Sequence, residues 1–134
     1  MNYWLVKSEP DTYSWEQLLK DGKTHWDGVR NFAARNHLKS MKKDDQVLFY
    51  HSNEGLAVVG IAKVIKEAYQ DPTTEDKNWV AVNLAPHKTL KKPVTLAQIK
   101  ADKRLQNIYL VRQGRLSVMP LKKEEFDHIV AMGS

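Results

Sequence analysis

Two strand-like runs separated by three residues set the frame within which this 134-residue chain must fold. Gln46 to Ser52, containing Val47-Leu48-Phe49-Tyr50, and Leu56 to Tyr69 are rich in β-branched and aromatic residues, which suit a pleated, half-buried surface. Asn53-Glu54-Gly55 between them holds two residue types that tolerate positive φ, so the runs are expected to pair as an antiparallel hairpin. Residues 3 to 7 read as a further strand. Trp79-Val80-Ala81-Val82-Asn83-Leu84 alternates like another and continues toward Lys88 and Leu90.

Short helices are interspersed among these strands. Thr12 or Ser14 can cap a helix over 15 to 20, with Glu16 in its first turn and Asp21-Gly22 ending it. Val29 to Met41 carries helical spacing, with Phe32, Ala33, Ala34 and Leu38 compatible with one buried stripe. Thr95 suits the cap of a helix through Lys100, and Leu121 to Met132 reads as a closing amphipathic helix with Leu121, Phe126, Ile129 and Val130 inward. Asp71 to Asn78 reads as a polar loop, and Gln113-Gly114 interrupts strand character between Val111 and Val118. Strands and helices that do not alternate regularly predict an α+β fold with a largely antiparallel sheet, able to curl toward a barrel. A doubly wound parallel sheet is not expected.

The length is that of one domain, so residues 1 to 134 are expected to form a single unit. The chain has no cysteine, which excludes a disulfide framework and any thiolate zinc site. No apolar run approaches the ~20 residues that span a bilayer. Met1 and Asn2 lead directly into a strand-like segment without the basic and small-residue pattern of a secretory signal, so a cytoplasmic protein is expected. The formal charge of +5, from 21 basic and 16 acidic residues, leans toward an anionic partner. Its distribution strengthens that lean: Lys39, Lys42 and Lys43 cluster, as do Lys88, Lys91 and Lys92, and Arg112 and Arg115 bracket Gly114. Solvated faces account for such lysine groups equally well.

The residues least like ordinary packing are Lys7-Ser8-Glu9-Pro10, at the end of the first strand, and Trp26-Asp27-Gly28-Val29-Arg30-Asn31, a polar loop feeding a helix. No periodic apolar face explains Trp26, so it is the first choice for a residue that stacks on a planar ligand. Trp4 and Trp79 lie in strand-like runs and are expected to pack in the core or sheet, and Trp15 to pin its helix to the sheet. Lys7 offers an ammonium and Ser8 a hydroxyl to phosphate or base edges, unless Lys7 pairs with Glu9 instead. Arg30 suits phosphate, and Asn31 suits either a base edge or the cap of the following helix. Tyr50-His51-Ser52 ends a strand with three polar groups, and Arg112 to Ser117 reads as a phosphate-gripping loop or a surface hairpin.

Signatures of catalysis are weak. His51 and Ser52 are adjacent in a strand and point to opposite faces. The five histidines show no His-x-x-x-His spacing, and no phosphate-binding glycine motif is present. No metal or cofactor site is therefore expected.

The segments Tyr3 to Pro10, Trp26 to Leu38, Val47 to Ser52 and Val59 to Val64 together resemble the EVE domain family, which is similar to the PUA and YTH domains. The resemblance spans nearly the whole chain. It implies a PUA-like pseudo-barrel and the reading of modified bases in DNA or RNA. Carried onto matching positions, it implies a pocket with Lys7 and Ser8 at the strand end and Trp26 and Tyr50 as aromatic walls. Val29, Arg30, Asn31 and Ser52 fall at the rim, and Arg112, Arg115 and Ser117 in a late basic loop. An acidic residue is the commoner expectation where Asn83 stands. The combined expectation is a monomeric, non-enzymatic module that encloses a modified base, such as a modified cytosine, without cofactor, metal or membrane. The alternatives are a small nucleic-acid or nucleotide enzyme using His51, or a protein-interaction adaptor.

Overall fold

A computed structural model describes residues 1–134. Six strands, β1 (Tyr3–Ser8), β2 (Thr24–Trp26), β3 (Gln46–His51), β4 (Ala57–Gln70), β5 (Val80–Thr95) and β6 (Val118–Leu121), form one sheet in the order β2-β5-β4-β3-β1-β6. All neighbours are antiparallel except β1 and β3. Five short helices accompany them: α1 (Trp15–Asp21), α2 (Phe32–Ser40), α3 (Leu96–Ala101), α4 (Tyr109–Arg112) and α5 (Lys123–Met132). The α+β expectation holds. The sheet is not a closed barrel, because β2 and β6 remain its two edges.

The predicted hairpin joins β3 and β4, with Asn53 at φ 70° and Gly55 at φ 63° supplying the left-handed positions of the turn. In the central strands, burial is continuous rather than alternating: Trp4-Leu5-Val6 and Val47-Leu48-Phe49-Tyr50 are all buried. Continuous burial means that both sheet faces are covered, as is usual for parallel pairs such as β1–β3. Register shifts between Val58 and Gly60, and again further along the β4–β5 pair, bend these two long strands.

Trp15 shows how helix and sheet are locked together. Ser14 caps α1, and its Oγ accepts from the Gln17 N–H. The Trp15 indole, buried, tilts against Phe49 at 5.3 Å and donates Nε1–H to Thr89 Oγ1 at 2.9 Å. It lies so close over Gly60 that a Cβ there would stand 2.3 Å from the ring. The β4 bulge therefore needs glycine, and truncating Trp15 removes about 3–5 kcal/mol of packing.

The structure corrects the sequence-based expectations at four places. Residues 24–26 are a strand, not loop, because β2 pairs with residues 82–84 of β5. Phe32 and Ala33 face solvent, so the buried stripe of α2 reduces to Ala34 and Leu38. Trp79 precedes β5 and is half-buried against Phe32 instead of packing in the sheet. Val111 lies within α4 rather than in strand-like chain.

Candidate functional site

β1 ends where the chain must turn at Pro10, so the side chains of Lys7 and Ser8 emerge from the sheet at a cleft of about 570 Å³. The facing wall is Trp26 at the end of β2 and the loop through Arg30, and Tyr13 and Ser117 complete the mouth. Cleft volumes of ~300–1,000 Å³ hold small planar ligands. Trp26 is set by pairing with Val82 and by an edge-on contact with Phe49, at 5.6 Å and 83°. A ring braced by the core on one side and bordering an open cleft on another is a preorganised stacking surface.

Lys7 forms no ion pair with Glu9. Its ammonium donates to the Gly114 carbonyl at 2.7 Å, and its backbone N–H donates to the Ser117 carbonyl at 2.9 Å, fastening the 112–117 loop to the site. An ammonium has three donors, so others remain for a ligand. Partial burial lowers the Lys7 pKa. The Ser8 hydroxyl donates to the Tyr13 carbonyl, leaving its oxygen lone pairs toward incoming donors.

The opposite wall is held by Asp71, which sequence reasoning left in an undifferentiated polar loop. Its carboxylate is fully buried and accepts from Gly28 N–H at 2.8 Å, Arg30 Nη1 at 2.9 Å, Thr73 N–H at 2.7 Å and Thr73 Oγ1 at 2.6 Å. Burial alone would raise its pKa. The Thr73 hydroxyl, the Arg30 guanidinium and the backbone N–H groups of Thr73 and Gly28 outweigh burial and hold the carboxyl well below the usual range. Gly28 sits at φ +73°, a conformation that a side chain makes ~1–2 kcal/mol less favourable. The local signal that could have singled out this acid is Asp71-Pro72-Thr73, an Asx motif in which Asp71 accepts from the Thr73 N–H. Its grip on residues 41 and 43 positions away leaves no local signal.

Arg30 also donates to the Val29 carbonyl and to Thr73 Oγ1, so three of its five N–H donors serve the loop itself. Asn31 acts as the helix cap: its Oδ1 accepts from Ala34 N–H at 2.9 Å. Val29 lines the cleft. Tyr50 and Ser52 do not; with Lys7 they line a separate cavity of about 250 Å³. Arg112 and Arg115 are exposed outside the cleft, Arg112 donating to Asn107 Oδ1 at 2.8 Å. Of the expected set, the structure thus brings Lys7, Ser8, Trp26, Val29, Arg30 and Ser117 together.

Sequence reasoning also passed over His25, which lines the cleft with Nδ1 at 2.9 Å from Tyr69 Oη and 3.0 Å from Asn83 Oδ1. The Tyr69 hydroxyl donates to Asn83, so a neutral amide does the accepting where an acid was the commoner expectation. His51 is spent structurally: its Nε2 accepts the Trp15 N–H at 3.0 Å at the start of α1, and burial lowers its pKa. No carboxylate is hydrogen-bonded to it.

The cleft is electrically mixed. Glu9 and Asp27 share its lining with Lys7, His25 and Arg30, which suits a neutral ligand with donor and acceptor edges better than a bare polyanion.

The EVE domain family model matches residues 2–132. The chain belongs to the EVE domain family. Thymocyte nuclear protein 1 of Rattus norvegicus is 36% identical over 98% of this chain and 73% of its own length, and the Homo sapiens protein is 34% identical over the same shares. Among solved structures of similar chains, human THYN1 in complex with 5-methylcytosine-containing DNA superposes with a TM-score of 0.94 at 32% identity, covering all of this chain and 98% of that one. A protein from Agrobacterium tumefaciens superposes with a TM-score of 0.98 at 42% identity, covering all of this chain and 94% of that one. This EVE domain therefore carries its cleft on a scaffold that, in a relative, has been seen with methylated DNA.

Proposed function

We propose that this EVE domain reads a modified base, of the 5-methylcytosine kind, by taking it out of the nucleic-acid stack into the cleft between β1 and the 26–30 loop. The observation that carries the reading is the position of Trp26, braced on Phe49 and opposite the polar groups of Lys7 and Ser8. A planar base stacks on the indole while the ammonium and hydroxyl meet its polar edge. The carboxylates in the cleft keep phosphate outside, where the exposed Arg112 and Arg115 meet it. The 5-methylcytosine DNA held by human THYN1 supports the choice of ligand class.

Stacking contributes ~1–3 kcal/mol per base. Extrusion consumes a few kcal/mol of that, so specific binding requires the backbone contacts as well. No bond is made or broken in this scheme, and the domain acts by binding alone. The test is equilibrium binding to short single- and double-stranded DNA and RNA carrying plain or modified cytosine or adenine, at two salt concentrations. The expected outcome is tighter binding to one modified oligonucleotide than to its plain counterpart at both salts. Equal binding to every oligonucleotide sinks the proposal.

A further inference from the structure

Outside the cleft, the sequence placed Phe32 and Trp79 in the hydrophobic interior, yet the structure puts them together on the surface. Phe32 is 64% exposed, the one aromatic among the exposed large hydrophobic residues. Its ring stacks on Trp79 at 5.2 Å and 25°. The Arg35 guanidinium lies 5.0 Å from the Phe32 centroid and 5.8 Å from that of Trp79, and the Arg30 guanidinium lies 5.5 Å from Trp79. Packing does not explain this arrangement, because α2 meets the core through Ala34 and Leu38.

The cluster is built and oriented. Arg35 is held over the rings by the Asn78 carbonyl and by Asn36 Oδ1. The Arg35 guanidinium is in no ion pair, and the Asp76 carboxylate accepts from the Asn78 N–H at 2.9 Å. An exposed ring supported from behind by an indole and flanked by guanidinium groups has the chemistry of a base-stacking platform beside a phosphate. It is also continuous with the cleft, since Arg30 both lines the cleft and covers Trp79.

We infer that Phe32 is a second stacking station, on which the nucleotide next to the extruded base rests, with Arg35 against the adjoining phosphate. This rests on the base-reading function proposed above. Extruding a base leaves its neighbour with one uncovered face, and a ring two contacts from the cleft replaces the lost partner. The domain then reads the target base through Trp26 and stabilises the opened strand through Phe32 without reading its sequence.

The experiment compares wild type, Phe32→Ala, Phe32→Tyr and Trp26→Ala on the preferred modified oligonucleotide, on its plain counterpart, and on modified oligonucleotides with an abasic residue 5′ or 3′ of the modified base. Phe32 is not packed against the core cluster, so the Phe32 variants are expected to fold. The expected result is an affinity loss of about fivefold or more for Phe32→Ala on the modified oligonucleotide, with recovery in Phe32→Tyr. That loss should vanish on the oligonucleotide with the relevant abasic neighbour. Arg35→Gln should flatten the slope of log K against log salt by ~0.7–0.9. If wild type discriminates modified from plain while Phe32→Ala matches it on all oligonucleotides, the second station is overturned and the patch is left to face a protein. An equal loss with and without the neighbouring base also overturns it. Should wild type fail to discriminate at all, the base-reading function fails and this inference falls with it.

Discussion

Asp45 and Asp71 are the two charged side chains buried in this molecule, and they do different work with the same chemistry. Asp45 stands beside the start of β1, where its carboxylate accepts from the N–H groups of Asn2 and Lys42 and from Trp4 Nε1 at 3.0 Å. All its donors are neutral and none borders the cleft. Asp71 stands at the end of β4 beside the cleft, where it fixes Gly28 and Arg30. One carboxylate closes the core at the near end of β1, and the other shapes the wall that faces its far end. A buried acid is therefore no sign of function by itself; what it holds decides.

Replacing each acid separates the two roles. Asp45→Ala leaves the Trp4 indole N–H and two backbone N–H groups without their acceptor, and is expected to lower unfolding free energy in urea by about 3 kcal/mol. The affinity of the folded fraction for a modified oligonucleotide should stay at the wild-type value. Asp71→Asn is expected to remove about 2 kcal/mol of stability, less than a fully buried pair because the Arg30 side chain is 40% exposed and water replaces part of the contact. It should also weaken binding at least tenfold as the Gly28–Arg30 wall loosens. If the two variants lost affinity equally, the division between them would be wrong.

The pH dependence sharpens the same contrast. The Asp71 pKa is depressed in the folded protein, so the unfolded chain takes up that proton at higher pH than the native state does. The stabilisation is present above the ordinary carboxylate value of about 4 and is lost as pH falls through and below it. Urea unfolding between pH 6 and 3 should show a shallower acid-side decline in Asp71→Asn than in wild type. The smallest expected effect concerns the exposed loop: Arg112→Ala or Arg115→Ala should flatten the salt slope by ~0.7–0.9 with the modified-to-plain ratio unchanged.

Much of the fold was legible because its signals are local. The Asn53–Gly55 turn, a cap at Thr12 or Ser14 and the Thr95 cap act over a few residues; the structure has the turn, takes Ser14 as the first cap, and adds Gln98 to the Thr95 cap as a capping box. Trp4 and Trp15 were legible as packing residues from their periodic surroundings. Strand β2 was not, since three residues carry too little pattern and exist as a strand through pairing with β5. Phe32 and Trp79 misled for a related reason: hydrophobicity at helical or alternating spacing does not reveal whether a ring faces the core or a neighbouring ring outside it. In the site, Lys7, Ser8 and Trp26 stood out by being unlike packing, whereas Asp71 and His25 depend on partners more than 40 residues away. Tyr50 is the converse case. It lies one residue before His51 and beside Lys7 in register, yet it lines the neighbouring cavity.

The most direct test of the account is the ratio of affinities for a 5-methylcytosine oligonucleotide and its unmodified counterpart, measured for wild type, Trp26→Ala and the Asp45→Ala control. A base stacked on Trp26 requires a ratio well above one for wild type and the control, and a ratio near one for Trp26→Ala with salt-sensitive background binding intact. A ratio that survives the loss of the indole contradicts it.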